Sequence, residues 1–93
     1  MAAKIGDDLL AIIEKTSNKD PEEKIPVIIT YETKNNQSLD HSALSNYGFI
    51  MVNEFPQISA MSGIIPANRV KKLAEQAEIK IVEYDSKVYA LSN

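Results

Sequence analysis

Two carboxylates, Glu83 and Asp85, stand two residues apart near the end of the chain, in "IKIVEYDSKVYALSN", Ile79 to Asn93. Ionised carboxylates are acceptors only. At a strand exit they either keep the surface solvated or accept hydrogen bonds from N–H groups of a partner. The segment after them is unusual for an idle terminus. Residues 86–93 contain no Gly or Pro and carry Val88, Tyr89, Ala90 and Leu91 in a row. An apolar, extended tail after a pair of acids is the pattern that most needs a function.

Other chemistry is thinly represented. His41 is the single histidine, and there is no cysteine. A metal cluster therefore has no obvious ligand set, and no thiolate nucleophile is available. The three glycines are scattered and form no phosphate loop. Ser42, Ser45, Ser59 and Ser62 have no general base beside them in sequence. We therefore expect no catalytic site, no metal and no cofactor. Arg69 is the single arginine and the net charge is −3, a poor basis for a nucleic-acid surface.

Ninety-three residues with 44% hydrophobic content imply one globular domain. No apolar run reaches the ~18 residues of a membrane helix. "MAAKIGDDLLAIIEKT" carries two acids where a signal peptide has its apolar core. The expectation is a protein that is not exported, or a segment of a longer precursor.

The elements that must position the acids and the tail are read from periodicity. Gly6, Asp7 and Asp8 open an amphipathic helix whose apolar face holds Leu9, Ile12, Ile13 and Thr16. Asn18, Asp20 and Pro21 end it. "IPVIITYE", Ile25 to Glu32, is a β-branched strand with Pro26 at its entry. "LDHSALSNYG" predicts a short helix with Leu39, Ala43, Leu44 and Tyr47 inward and Gly48 as its cap. Phe49 to Phe55 and Ile58 to Ile65 predict two strands joined by a tight Pro56-Gln57 hairpin. Pro66 opens a second helix, with Val70, Leu73, Ala74 and Ala77 on one face. Ile79 to Asp85 is the last strand.

The order after residue 24 is β-α-β-β-α-β. That is the ferredoxin-like arrangement in the α+β class: a four-stranded antiparallel sheet with two helices on one face. Here it carries an extra N-terminal helix and an extended C-terminal tail. Right-handed crossovers predict that the first and last strands lie side by side in the middle of the sheet. The single domain divides into a helix and linker (1–24), a core (25–85) and a tail (86–93).

Strands with one wet face alternate apolar and polar residues. These do not. Val27, Ile28 and Ile29 are consecutive, as are Phe49, Ile50, Met51 and Val52, and Ile64 and Ile65. Either the N-terminal helix covers the second face, or some of these residues are exposed singly, or that face is a protein interface.

"FPQISAMSGIIPANRVKKLAEQAEIKIVEYDSKVYAL" resembles the propeptides of subtilisin-like serine proteases, the inhibitor I9 family. The shared pattern is Phe55, the strand Ile58 to Ile65, Pro66, Val70 with Leu73, then Ile79, Val82, Glu83 and Asp85. "KIPVIITYE" resembles the family's first strand. Two features depart from it: Ala77 stands where members often have Pro, and the tail runs two residues past the matched end. The resemblance implies an intramolecular chaperone and product-like inhibitor, without catalysis of its own and monomeric when free. Its partner would be a subtilisin-like catalytic domain, made and secreted as part of one precursor. It also implies that Glu83 and Asp85 cap helix N-termini of the protease. Val88, Tyr89, Ala90 and Leu91 would then lie in its cleft, with Leu91 in the first specificity pocket and Val88 in the fourth.

Two rivals stand beside this reading. One is a free-standing subtilisin inhibitor of the same fold. The other, of a different class, is a ferredoxin-like ligand-binding or regulatory dimer that pairs through its open sheet. Enzymes of this topology such as acylphosphatases need an anion-binding loop with Arg, and Arg69 falls within a predicted helix. RNA-recognition modules need aromatics displayed on the middle strands, and the first and last strands offer only Tyr31 and Tyr84.

Overall fold

The computed structural model describes residues 4–32 and 41–85. Helix α1 spans Asp7–Lys19. Strand β1 is Lys24–Tyr31, helix α2 His41–Ser45, strand β2 Ile50–Phe55 and strand β3 Ala60–Pro66. Helix α3 is Val70–Ala74 and strand β4 Ile79–Tyr84. The four strands form one antiparallel sheet in the order β2-β3-β1-β4. The molecule is thus α+β with a four-stranded antiparallel sheet, consistent with a ferredoxin-like arrangement.

One expectation about the sheet is corrected. β1 and β4 are neighbours, but β4 is an edge strand, and the central pair is β1 and β3. The connection from β3 to β4 passes over β1, which leaves β4 on the outside.

The alternation of β1 explains its consecutive apolar residues. Ile25, Val27, Ile29 and Tyr31 are buried, while Pro26, Ile28 and Thr30 between them are half-buried. The buried set faces the helices. It forms one core with Leu44, Phe49, Met61, Ile65, Val70, Leu73, Ile79 and Val82.

Helix α1 begins where Asp7 and Asp8 meet the positive end of the helix dipole, and it carries Lys19 in its last turn. Gly6 stands before it in an extended conformation. The helix runs through Asn18 and stops at Asp20, whose carboxylate accepts the Glu22 N–H at 3.1 Å. Leu9 and Ile13 are buried in the same core as Val27 and Leu73. The helix packs against β4 and the 3-10 turn Ala67–Arg69. It therefore does not cover the second face of the sheet. The segment before it lines the outer edge of β4: Gly6 N–H donates to the Val82 carbonyl at 3.0 Å, and Val82 N–H to the Lys4 carbonyl at 2.7 Å.

Two local expectations give way to tertiary structure. The β2–β3 connection is longer than Pro56-Gln57. It is a 3-10 turn, Pro56–Ile58, followed by Ser59 in the left-handed region at φ 52°. Pro66 closes β3, paired with Lys24, and also caps the 3-10 turn that leads into α3. The helical stretch after it is a 3-10 turn and then only Val70–Ala74, and Ala77 is exposed. The N–H groups of Glu75 and Gln76 bond back to Lys72 and Leu73, a tightened last turn. Beyond it the Gln76 amide donates to the Tyr47 hydroxyl at 2.6 Å, and the Lys4 ammonium donates to the Gln76 carbonyl at 2.9 Å. Those long-range partners hold the chain out of the helix.

Candidate functional site

The face of the sheet turned away from the helices is built from three cross-strand rows. The first is Ile50, Ile64 and Pro26; the second Asn53, Ser62, Ile28 and Glu83; the third Phe55, Ala60, Thr30 and Ile81. The rows on the helix side are Met51, Gly63, Val27 and Tyr84, then Glu54, Met61, Ile29 and Val82. Gly63 is needed there, because a Cβ would stand 2.1 Å from the Ile50 carbonyl oxygen and 2.7 Å from the Phe49 ring.

The outward rows are mostly apolar. Ile50 is 48% and Phe55 43% exposed. Ile28, Ile64, Ile81 and Pro26 are half-buried. Between them Ala60 and Ser62 are small and buried. Ala60 and Ser62 thus form a low patch on β3 between Phe55 and Ile28, with the bulkier Ile64 at its end. No described residue outside the sheet packs over this face as a layer of the core.

The register also settles which members of each apolar run face out. Ile28 does, and Val27 and Ile29 do not. Ile50 does, while Phe49 is buried in the core. In β2 the pairing shifts between Met51 and Asn53. That irregularity moves Asn53 and Phe55 to the outward side and leaves Val52 out of register, 61% exposed. Sequence alternation alone gives no signal for such a bulge. Ile81, outward on β4, carries a signal only once the register of that strand is known.

The two acids differ in setting. Glu83 is exposed at the β4 margin of the face. Asp85 is buried just past β4, its N–H bonded to the Pro26 carbonyl at 3.0 Å. They therefore sit beside successive rows at one corner. Glu83 also lies against the start of α1, its Cγ 3.6 Å from where a Cβ on Gly6 would be. Asp7, Asp8, Glu83 and Tyr84 line a small cavity of about 200 Å³ there. This acidic corner joins the two ends of the described chain, and sequence reasoning missed it. The tail residues Val88, Tyr89, Ala90 and Leu91 lie outside the described residues.

Among the described residues no group of His, Asp and Glu could hold a metal ion. Tyr31 and Tyr84 belong to the helix side of the sheet, so neither offers a stacking platform on the open face. Burial pushes the Tyr31 phenol up from its ordinary pKa, and the Glu54 carboxylate adds to the shift. No helix among the described residues is long and apolar enough to cross a membrane.

Comparison with known proteins leaves the assignment to this geometry: no family model, no curated protein and no solved structure matches the chain.

Proposed function

We propose that this chain is a propeptide, or propeptide-like inhibitor, of a subtilisin-like serine protease. It assists folding of the catalytic domain and then blocks the active site as a cleavage product would. The observation that carries the reading is the apolar face of Pro26, Ile28, Ile50, Phe55, Ile64 and Ile81, over which no described residue outside the sheet packs. A low patch at Ala60 and Ser62 with bulky apolar neighbours suits the surface of packed helices. Burying such a face on an enzyme releases ordered water at roughly 25 cal/mol per Å² of apolar area, less the costs of association.

The acidic corner supports the orientation of docking. Helix N-termini carry unpaired N–H groups and partial positive charge. In this reading Glu83 caps one such terminus and Asp85 orders the exit of β4 toward a second. The tail continues from that corner into the cleft. Val88, Tyr89, Ala90 and Leu91 add a strand to the enzyme by main-chain hydrogen bonds, with Leu91 and Val88 in apolar pockets. Folding assistance is linkage: a ligand of the folded enzyme stabilises that state over the unfolded one.

Titration of the protein into a subtilisin assay tests the proposal. The expected result is stoichiometric, slowly relieved inhibition. Deletion of residues 88–93 should weaken it by two or more orders of magnitude without changing the fold. Equal inhibition by the truncated chain removes the tail from the mechanism. No inhibition by the intact chain removes the function.

A further inference from the structure

An endoprotease binds its substrate as an extended strand. A segment of a folded domain is cut only if it is exposed, opens locally and presents a side chain for a pocket. Most described connections fail one of these conditions. The link 20–23 is exposed, but it is tied to the 3-10 turn Ala67–Arg69: the Ala67 N–H donates to the Glu23 carbonyl and the Asn68 N–H to the Pro21 carbonyl, each at 2.9 Å. Neither segment carries a large apolar side chain. The connection 46–49 is closed by three backbone bonds back into α2, and of its apolar residues Tyr47 is half-buried and Phe49 buried. The turn 75–78 is held at Gln76 by Tyr47 and Lys4, and its one apolar residue is Ala77.

The turn between β2 and β3 meets all three. Residues 55–59 are exposed in succession. Ile58 is 69% exposed, the highest value among the large hydrophobic side chains of the described residues. The bond that closes the turn, from the Ser59 N–H to the Pro56 carbonyl, is long at 3.3 Å. Ser59 stands at φ 52°, a region that a residue with a Cβ occupies less readily than glycine. Opening the turn costs little more than the Phe55–Ala60 pair and the bond from the Tyr31 N–H to the Ser59 carbonyl at 2.9 Å.

From these observations we infer that the turn Pro56–Ile58 is a proteolytic switch. Endoproteases with an apolar pocket cut the folded domain there before any other described residue, and Ile58 is the side chain they seat. Hydrolysis adds one water across the amide bond, which leaves a carboxylate on one new end and an ammonium on the other. The bond from Phe55 to Pro56 is spared, because the proline ring fixes φ and its nitrogen carries no N–H.

The cut has consequences for the whole fold. It separates α1, β1, α2 and β2 from β3, α3 and β4. Strand β1 pairs with both β3 and β4, so the two pieces interleave in one sheet and share one core. The covalent link that kept them at high effective concentration is then gone. Folding becomes bimolecular and fails on dilution. The inference is independent of the proposed inhibitory function, and proteases unrelated to subtilisin test it.

The experiment is limited digestion of the folded chain, with each cut located by fragment mass. Thermolysin seats an apolar side chain just after the scissile bond, so its first cut within residues 4–32 and 41–85 should fall between Gln57 and Ile58. Pancreatic elastase seats the side chain just before the bond and should cut first between Ile58 and Ser59. The nicked chain should lose its circular dichroism on dilution. Ile58→Asp should slow both cuts by about tenfold or more and leave the thermal melt unchanged, because that side chain is exposed. Val52→Asp, which charges β2 instead of the turn, should leave both rates as they are. A first cut at 20–23, 46–49 or 75–78 overturns the inference. So does undiminished cutting of Ile58→Asp at the turn, cleavage that begins only when the whole domain unfolds, or a nicked chain that stays folded on dilution.

Discussion

Ile28 and Ile29 are neighbours of the same type in the same strand, and they have opposite fates. Ile29 is fully buried beneath the helices, in a row with Met61 and Val82. Ile28 stands half-buried on the other side, in a row with Ser62 and Glu83. The same contrast holds across the sheet. One face is sealed by the helices, α1 included. The other is apolar at seven of its eleven paired positions and has no layer of described residues over it. A chain this short has little surface to spend on stability. An apolar face left open therefore argues for a use in recognition, since a polar one would serve solubility better.

The comparison breaks most readily at that isoleucine pair. Ile29→Ala should cost about 2–5 kcal/mol of stability, by lost burial plus a cavity. That lowers the melting temperature by about 4–8 °C per kcal/mol in a domain of this size. Ile28→Ala should cost about half as much or less, yet it should weaken protease inhibition more than its stability loss explains. Thermal melts and inhibition titrations on both variants check this. Equal effects in both assays would mean that the two faces are not functionally distinct.

The acids sharpen the same contrast at one corner. Asp85→Ala should act mainly on the fold, by about 1–3 kcal/mol in a denaturant melt, because it strands the polar partner of a buried carboxylate. Glu83→Ala should leave the melt nearly unchanged and slow association with the enzyme by about two- to five-fold, with weaker salt dependence. Stopped-flow association rates separate the two.

The smallest effect lies on the sealed face. Its folded environment holds the Tyr31 phenol above the ordinary range, first by burial and then by Glu54. The unfolded chain ionises this group at a lower pH than the folded one. Its contribution is complete below the unfolded pKa and is lost as pH rises through the folded value. Stability should therefore decline above about pH 10. Tyr31→Phe should flatten that decline in urea melts taken between neutral and alkaline pH.

Much of the architecture was legible because it rests on local chemistry. The β-branched run of β1, the acids opening α1 and the order of strands and helices are all set by side-chain type and spacing. The doubled apolar runs announced two apolar faces. The pair Glu83 and Asp85, with a greasy segment after it, marked one end of the molecule as the place to look.

The rest was decided by contacts between distant residues. Which isoleucine of a pair faces out depends on register, and the bulge at Val52 resets that register without a local signature. β3 and β4 are separated in the sheet by β1, so the position of β4 at the edge is a matter of topology. The early end of α3 is set by Lys4 and Tyr47 reaching Gln76 from far along the chain. The side on which α1 packs is fixed by Leu9 and Ile13 joining a core that strands and helices create together. Periodicity reports which residues seek shelter from water; only the folded arrangement determines which of them find it.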